Sequence, residues 1–132
     1  MIGEIDQILE DEGFESKPYQ DHLKNWTFGH GLTFITEAES KVVVNMRLKA
    51  IREQINGQLH WFPNQPEEVQ NILLNMAYQL GVAGLYAFTN TLSHIRSQNY
   101  RHASIEMLRS KWADQTPNRA ERLSERMRRV RA

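Results

Sequence analysis

The sequence predicts an α+β fold in which a small antiparallel sheet lobe and a larger helical lobe are joined by one long helix. Three observations point there. Over most of the chain apolar residues recur at steps of three and four, the helical period. Residues 17 to 34 break that period with aromatic and β-branched residues set among Pro18, Asn25, Gly29 and Gly31, the pattern of short strands and tight turns. At 132 residues, 40% hydrophobic and 24% charged, the chain is long enough for the core of one domain.

Each element has its own signal. Ile2, Ile5, Ile8 and Leu9 mark a first amphipathic helix over about residues 2–11, which belongs with the helical lobe, and Gly13 stops it. The sheet lobe covers about residues 13–36. Thr36-Glu37-Ala38-Glu39 is a capping box, and Val44, Leu48, Ile51 and Ile55 then carry the linking helix through about residues 37–57. The helical lobe follows over about residues 58–132. Past Pro63 and Pro66, the face Val69, Ile72, Leu73, Met76 and Leu80 predicts a central core helix ended by Gly81. Shorter helical stretches lie near residues 85 to 88, 92 to 97 and 100 to 108, and Thr116-Pro117 reads as N-cap and first residue of a last helix.

Composition removes several function classes. With no cysteine there is no disulfide framework and no thiol nucleophile. The five histidines show no His-x-x-x-His or Glu-x-x-His pairing, so no metal site and no cofactor is expected. No apolar run reaches the roughly 18 residues of a membrane span, and Met1-Ile2-Gly3-Glu4-Ile5-Asp6 lacks the order of a leader peptide, so neither membrane insertion nor secretion is expected. Sixteen basic and sixteen acidic residues cancel, which argues against a nucleic-acid binder. The distribution is uneven, with 6 basic against 10 acidic residues in positions 1 to 66 and the reverse in 67 to 132. Arg119, Arg122, Arg126, Arg128, Arg129 and Arg131 concentrate the excess in the tail. There it suits either an anionic partner or a solvated helix whose cations complement the dipole.

The candidate chemistry sits where the first helix meets the sheet. Glu12 ends the helix, Asp21 follows nine residues later and Thr27 six after that, in a stretch that folds back on itself. A hairpin would bring both carboxylates and the hydroxyl to one edge. Two carboxyl groups across a sugar-sized gap suit glycoside hydrolysis, one giving a proton to the leaving oxygen and one handling water. Apolar Phe14 beside Glu12 suits the proton donor, while His22 and Lys24 beside Asp21 suit the carboxylate partner.

The spacing Glu12-x8-Asp21-x5-Thr27, set in Asp11-Glu12-Gly13-Phe14 and Trp26-Thr27-Phe28-Gly29, resembles the phage-type lysozymes of glycoside hydrolase family 24, near their T-even branch. Three distant segments resemble successive motifs of that family in order: Asn75-Met76-Ala77-Tyr78-Gln79-Leu80-Gly81, Phe88-Thr89-Asn90-Thr91-Leu92, and Trp112-Ala113-Asp114-Gln115-Thr116-Pro117-Asn118-Arg119-Ala120. The resemblance implies a lysozyme-like fold and an inverting muramidase that cuts the β-1,4 bond between N-acetylmuramic acid and N-acetylglucosamine. Glu12 is then the general acid, and Asp21 and Thr27 hold the attacking water. Tyr78, Gln79, Thr91, Gln115 and Thr116 contact substrate, and Arg119 approaches the catalytic glutamate. Trp112 is expected to pack in the core.

Two departures stand out. Leu32 occupies the place where the family usually has a histidine after its Gly-x-Gly turn, with His30 between Gly29 and Gly31. Thr33-Phe34-Ile35 leads almost directly into the long helix, where T-even relatives carry an insert, so the sheet lobe is expected to be smaller. The expected partner is a peptidoglycan glycan strand met by a monomer. The expected location is the host cytoplasm before release through a membrane pore, or a virion. A binding module that keeps the cleft without catalysis, and a nucleic-acid binder using the arginine tail, are the competing classes.

Overall fold

The computed structural model describes residues 3–131, so Ile2, the predicted first residue of the opening helix, lies outside the described residues. Among them are seven α-helices and a single two-stranded antiparallel sheet, the α+β class that the two periodicities predict. The chain divides into two compact units, Met1–Val44 and Asn45–Ala132.

In the first unit, helix α1 (Glu4–Glu12) carries Glu4 and Asp6 in its first turn, where acidic groups favour the positive end of the dipole. It ends as predicted at Gly13, whose N–H donates to the Leu9 carbonyl at 3.0 Å. The apolar stripe is present, but Ile5, Ile8 and Leu9 are exposed and no residue of α1 is buried. Strand β1 (Glu15–Gln20) pairs with β2 (Trp26–Gly29), setting Tyr19 opposite Thr27 and Gln20 opposite Trp26. The ladder is irregular between Glu15 and Tyr19, the stretch containing Pro18, which has no N–H to contribute. After β2 the backbone turns at 29–31, and Phe28 and Leu32 exchange two hydrogen bonds of 2.8 Å. Residues 33 to 36 then run without helix or strand into α2 (Glu37–Gln58), which continues into the second unit.

The capping box is formed. Thr36 N–H donates to Glu39 Oε1 at 3.0 Å and Glu39 N–H donates to Thr36 Oγ1 at 3.2 Å. Hydrogen bonding to Thr36 holds the Glu39 carboxyl below its ordinary value, the Thr36 backbone N–H having the largest effect and the Thr36 hydroxyl the next.

The second unit holds the hydrophobic core. Ile55 of α2 is fully buried with Phe62, Val69, Ile72, Leu73, Met76, Leu85, Ile95, Met107 and Met127, while Leu48 and Ile51 pack partly buried against them. A short 3₁₀ turn (Phe62–Asn64) leads into α3 (Glu67–Tyr86). Gly81 does not end α3 outright. It bends the helix at φ 77°, ψ 160°, and helix resumes to Tyr86, because Leu85 beyond the bend is completely buried. Helices α4 (Thr89–Arg96), α5 (Tyr100–Leu108), α6 (Lys111–Gln115) and α7 (Pro117–Arg128) complete the unit. Beneath them Tyr100 Oη donates to Gln65 Oε1 at 2.8 Å, and Gln65 Nε2 donates to the Ile95 carbonyl at 3.3 Å, so a buried amide ties α5, α4 and the 3₁₀ turn together. Among the described residues no single helix is long and apolar enough to cross a membrane.

Candidate active site

Glu12 is the last residue of α1, so its orientation depends on where that helix stops. Gln7 Nε2 donates to Asp11 Oδ1 at 3.0 Å one helical turn back, and Gly13 turns the chain away towards β1. The Glu12 carboxylate lies directly over the α-carbon of Gly31. A Cβ at that position would overlap Oε2 and stand 2.7 Å from Cδ. Gly31 also has φ +70°, in the left-handed region that glycine adopts without strain. The turn therefore requires glycine twice, for its backbone and for the space its missing side chain leaves to Glu12. Phe14 is 63% exposed and does not bury Glu12; its ring leans on His30 instead, with centroids 5.3 Å apart.

Asp21 opens the five-residue loop between the strands. Its Oδ1 accepts hydrogen bonds from Leu23 N–H and Asn25 N–H, both at 2.9 Å, and its own N–H donates to the Asn25 carbonyl at 2.9 Å. The side chain thus mimics a turn of backbone and fixes the loop, in which Lys24 takes a positive φ of 65°. The backbone engages Oδ1 alone, leaving Oδ2 for other work. Thr27, on β2, is the one buried residue among those described in this unit. Its Oγ1 lies 3.5 Å from the Tyr19 carbonyl, so the hydroxyl is oriented by the strand pairing and retains its lone pairs as acceptors.

The remaining candidates lie in the second unit. Gln79 is committed internally: Oε1 accepts from Trp112 Nε1 at 2.9 Å and Nε2 reaches Thr116 Oγ1 at 3.4 Å. Thr116 precedes α7 as expected but makes no capping bond. Its hydroxyl donates instead to the Trp112 carbonyl at 3.0 Å. Trp112 packs as predicted, buried with its ring edge-on to Phe88 at 5.8 Å. Thr91 is buried and, with Gln115, lines a pocket of about 410 Å³ whose walls also include Phe88, Asn90, Lys111 and Trp112. Tyr78 is 39% exposed and lies outside that pocket's lining. Arg119 is held by Asn75: Nε and Nη2 donate to Oδ1 at 2.9 and 2.6 Å, and Nη2 also reaches the carbonyl at 3.3 Å. Among the described residues no three histidine, aspartate or glutamate side chains gather as metal ligands.

The family model for phage lysozyme matches residues 9–130 of this chain. The chain belongs to the phage lysozyme family. It is also similar to a probable T4-type lysozyme 1 of Dictyostelium discoideum, with 29% identity over 92 residues, covering 67% of this chain and 54% of that protein. The chain thus spans about half the length of the curated relative it matches.

Leu32, where the resemblance leads one to expect a histidine, uses its backbone to close the turn with Phe28, and its side chain lies 3.4 Å from where a Gly29 Cβ would be. Sequence reasoning named Glu12, Asp21 and Thr27 but missed Gly31 as the seat of the glutamate and Asn75 as the partner of Arg119. Gly31 has no side chain from which a role can be read, and its place in the Gly29-His30-Gly31 turn is its one trace in the sequence. Asn75 was visible as part of a motif, but its pairing joins residues 44 apart.

Proposed function

We propose that this chain is a muramidase that hydrolyses the β-1,4 bond between N-acetylmuramic acid and N-acetylglucosamine of peptidoglycan with inversion. The observation that carries the reading is the occurrence of Glu12, Asp21 and Thr27 in one compact unit of a phage lysozyme family member, with Asp21 and Thr27 fixed by hydrogen bonds and Glu12 lying against Gly31. Glu12, seated over Gly31, gives its proton to the glycosidic oxygen as that bond breaks. A water on the opposite face of the sugar attacks the anomeric carbon; Thr27 Oγ1 orients it and Asp21 Oδ2 takes its proton. The products are a free 4-hydroxyl and an inverted reducing end. Glu12 is left as carboxylate and Asp21 as acid, and proton exchange with solvent restores both. No covalent glycosyl intermediate forms.

Within the second unit Gln79, Trp112 and Thr116 form a linked set, and Thr91, Gln115 and Tyr78 of that unit supply contacts to glycan or its peptide substituents. We place the reaction in the lytic stage of a phage cycle, with the chain held in the host cytoplasm until a membrane pore admits it to the wall. The deciding experiment is incubation with purified peptidoglycan. New reducing ends on muramic acid, appearing first as the α anomer by NMR, are expected. The Glu12→Gln variant, nearly isosteric but without an acid proton, should lose at least about 100-fold in turnover while keeping its circular dichroism spectrum. Glycan retained but uncut would make the chain a binding module, and β-anomer ends would make it a retaining enzyme.

A further inference from the structure

Four guanidinium groups converge on one concavity of about 590 Å³ in the second unit, lined by Arg101, Arg128, Arg129, Val130 and Arg131. They come from separate parts of the chain. Arg101 stands in the first turn of α5, Arg128 is the last residue of α7, and Arg129 to Arg131 follow it. Glu125 is the one carboxylate engaging this group among the described residues. Its Oε2 accepts from Arg128 Nε at 2.9 Å, and its Oε1 accepts from Arg128 Nη2 at 2.6 Å and from Arg129 Nε at 2.9 Å. Arg101 and Arg131 make no ion pair among the described residues. Among the described side chains, four positive charges thus face one negative charge.

The neighbouring concavity, about 440 Å³, shares Arg129, Val130 and Arg131, but its own arginine, Arg126, is matched by Glu68. The unmatched charge therefore lies on the side of Arg101. Like charges gathered on a concave surface repel one another, an arrangement stabilised by a polyvalent anion with several acceptor oxygens.

We propose that this concavity is a phosphate-binding site that takes the phosphate-bearing headgroup of an anionic envelope lipid. A carboxylate offers only two oxygens in one plane, and Glu125 already gives both to Arg128 and shares one with Arg129. A phosphate presents oxygens in several directions, which matches forks arriving from two elements. The volume exceeds that of a bare ion, and Val130 gives an apolar wall for the group that the phosphate carries. On the proposed muramidase reading, the site would hold the protein at a phosphorylated surface while Glu12, Asp21 and Thr27 do the chemistry.

The test uses the full chain with two probes: inorganic phosphate, followed by NMR of the arginine Nε resonances, and vesicles of phosphatidylcholine with or without about a third phosphatidylglycerol. Saturable binding to the anionic vesicles, weakened by inorganic phosphate, is expected, with little binding to neutral vesicles. Arg101→Gln with Arg131→Gln should weaken it at least about tenfold. Lys49→Gln with Arg96→Gln removes the same charge elsewhere and should change it less than about twofold. Saturation by inorganic phosphate without vesicle binding would keep the phosphate site and overturn the lipid as its source. Equal losses in the two double variants, absence of binding to both probes, or preference for a duplex oligonucleotide over vesicles would overturn the site itself. Both variant pairs lie on exposed helix or tail positions, and unchanged circular dichroism checks that they fold.

Discussion

Replacing Gly31 by alanine separates the stability of the turn from the placement of Glu12, the proposed general acid. The new Cβ has two effects. At φ +70° an alanine is strained by about 1–2 kcal/mol, which lowers the melting temperature by several degrees in a chain of this size. It also meets Glu12: Cδ must retreat from 2.7 Å to at least 3.4 Å, a shift of about 0.7 Å, and Oε2 must move further. Glu12 is the flexible end of an exposed side chain, so the fold accommodates the move cheaply, but the acid leaves its position. A displacement near 1 Å at a reacting group costs on the order of 100-fold in rate. Gly29→Ala provides the control. It has the same kind of strain at φ +58°, but its Cβ would meet Leu32 Cδ1 at an ordinary 3.4 Å and not Glu12. The assay is turnover on purified peptidoglycan beside thermal unfolding of both variants. Similar melting temperatures with a loss of about 100-fold confined to Gly31→Ala are expected. Equal activity losses in the two variants, or full turnover in Gly31→Ala, would refute the seating of Glu12 on Gly31.

Three further outcomes follow from the same contacts. Asp21→Asn keeps an oxygen for the Leu23 and Asn25 N–H groups and should preserve the melting temperature while losing turnover, whereas Asp21→Ala should lose turnover and about 1 kcal/mol of stability in chemical denaturation. Gln79→Leu leaves the buried Trp112 N–H without its acceptor and should destabilise the protein by about 1–3 kcal/mol in the same measurement, with a smaller effect on KM for short oligosaccharides. The Glu39 carboxyl should titrate below 4.5 by NMR and move towards it in Thr36→Ala. Because its folded value is the lower one, the stability it lends to the start of α2 is present above about pH 4.5 and fades as pH falls through the lowered value.

What the sequence disclosed depended on whether the determining contact was local. The end of α1 at Gly13, the Thr36–Glu39 box and the span of α5 rest on interactions within about four residues, and each could be read directly. Gly81 was legible as a break but not as a bend, because the helix beyond it is retained by burial of Leu85 in a core assembled from distant residues. Thr116 was legible as a helix start, while its hydroxyl serves Trp112 and Gln79, partners that propensity does not identify. Glu12, Asp21 and Thr27 became candidates through a family resemblance that several distant segments carry together. The use of Asp21 Oδ1 as a loop fastener could not be read, since the same residue type serves turn and chemistry alike.

Glu12 and Gly31 stand 19 positions apart, and their contact closes a loop that contains Asp21 and Thr27. Loop-closure entropy grows only as the logarithm of length, so a ring this short forms for roughly 2–3 kcal/mol beyond the constant term, with no contribution from the remaining hundred residues. Thr33 to Ile35, where the resemblance leads one to expect a longer insert in T-even relatives, lies just outside that ring. Segments can therefore be gained or lost there without changing the ring's circumference or the order of groups on it. Length variation at that point can change the extent of the surface beyond the ring while the spacing of Glu12, Asp21 and Thr27 stays as it is.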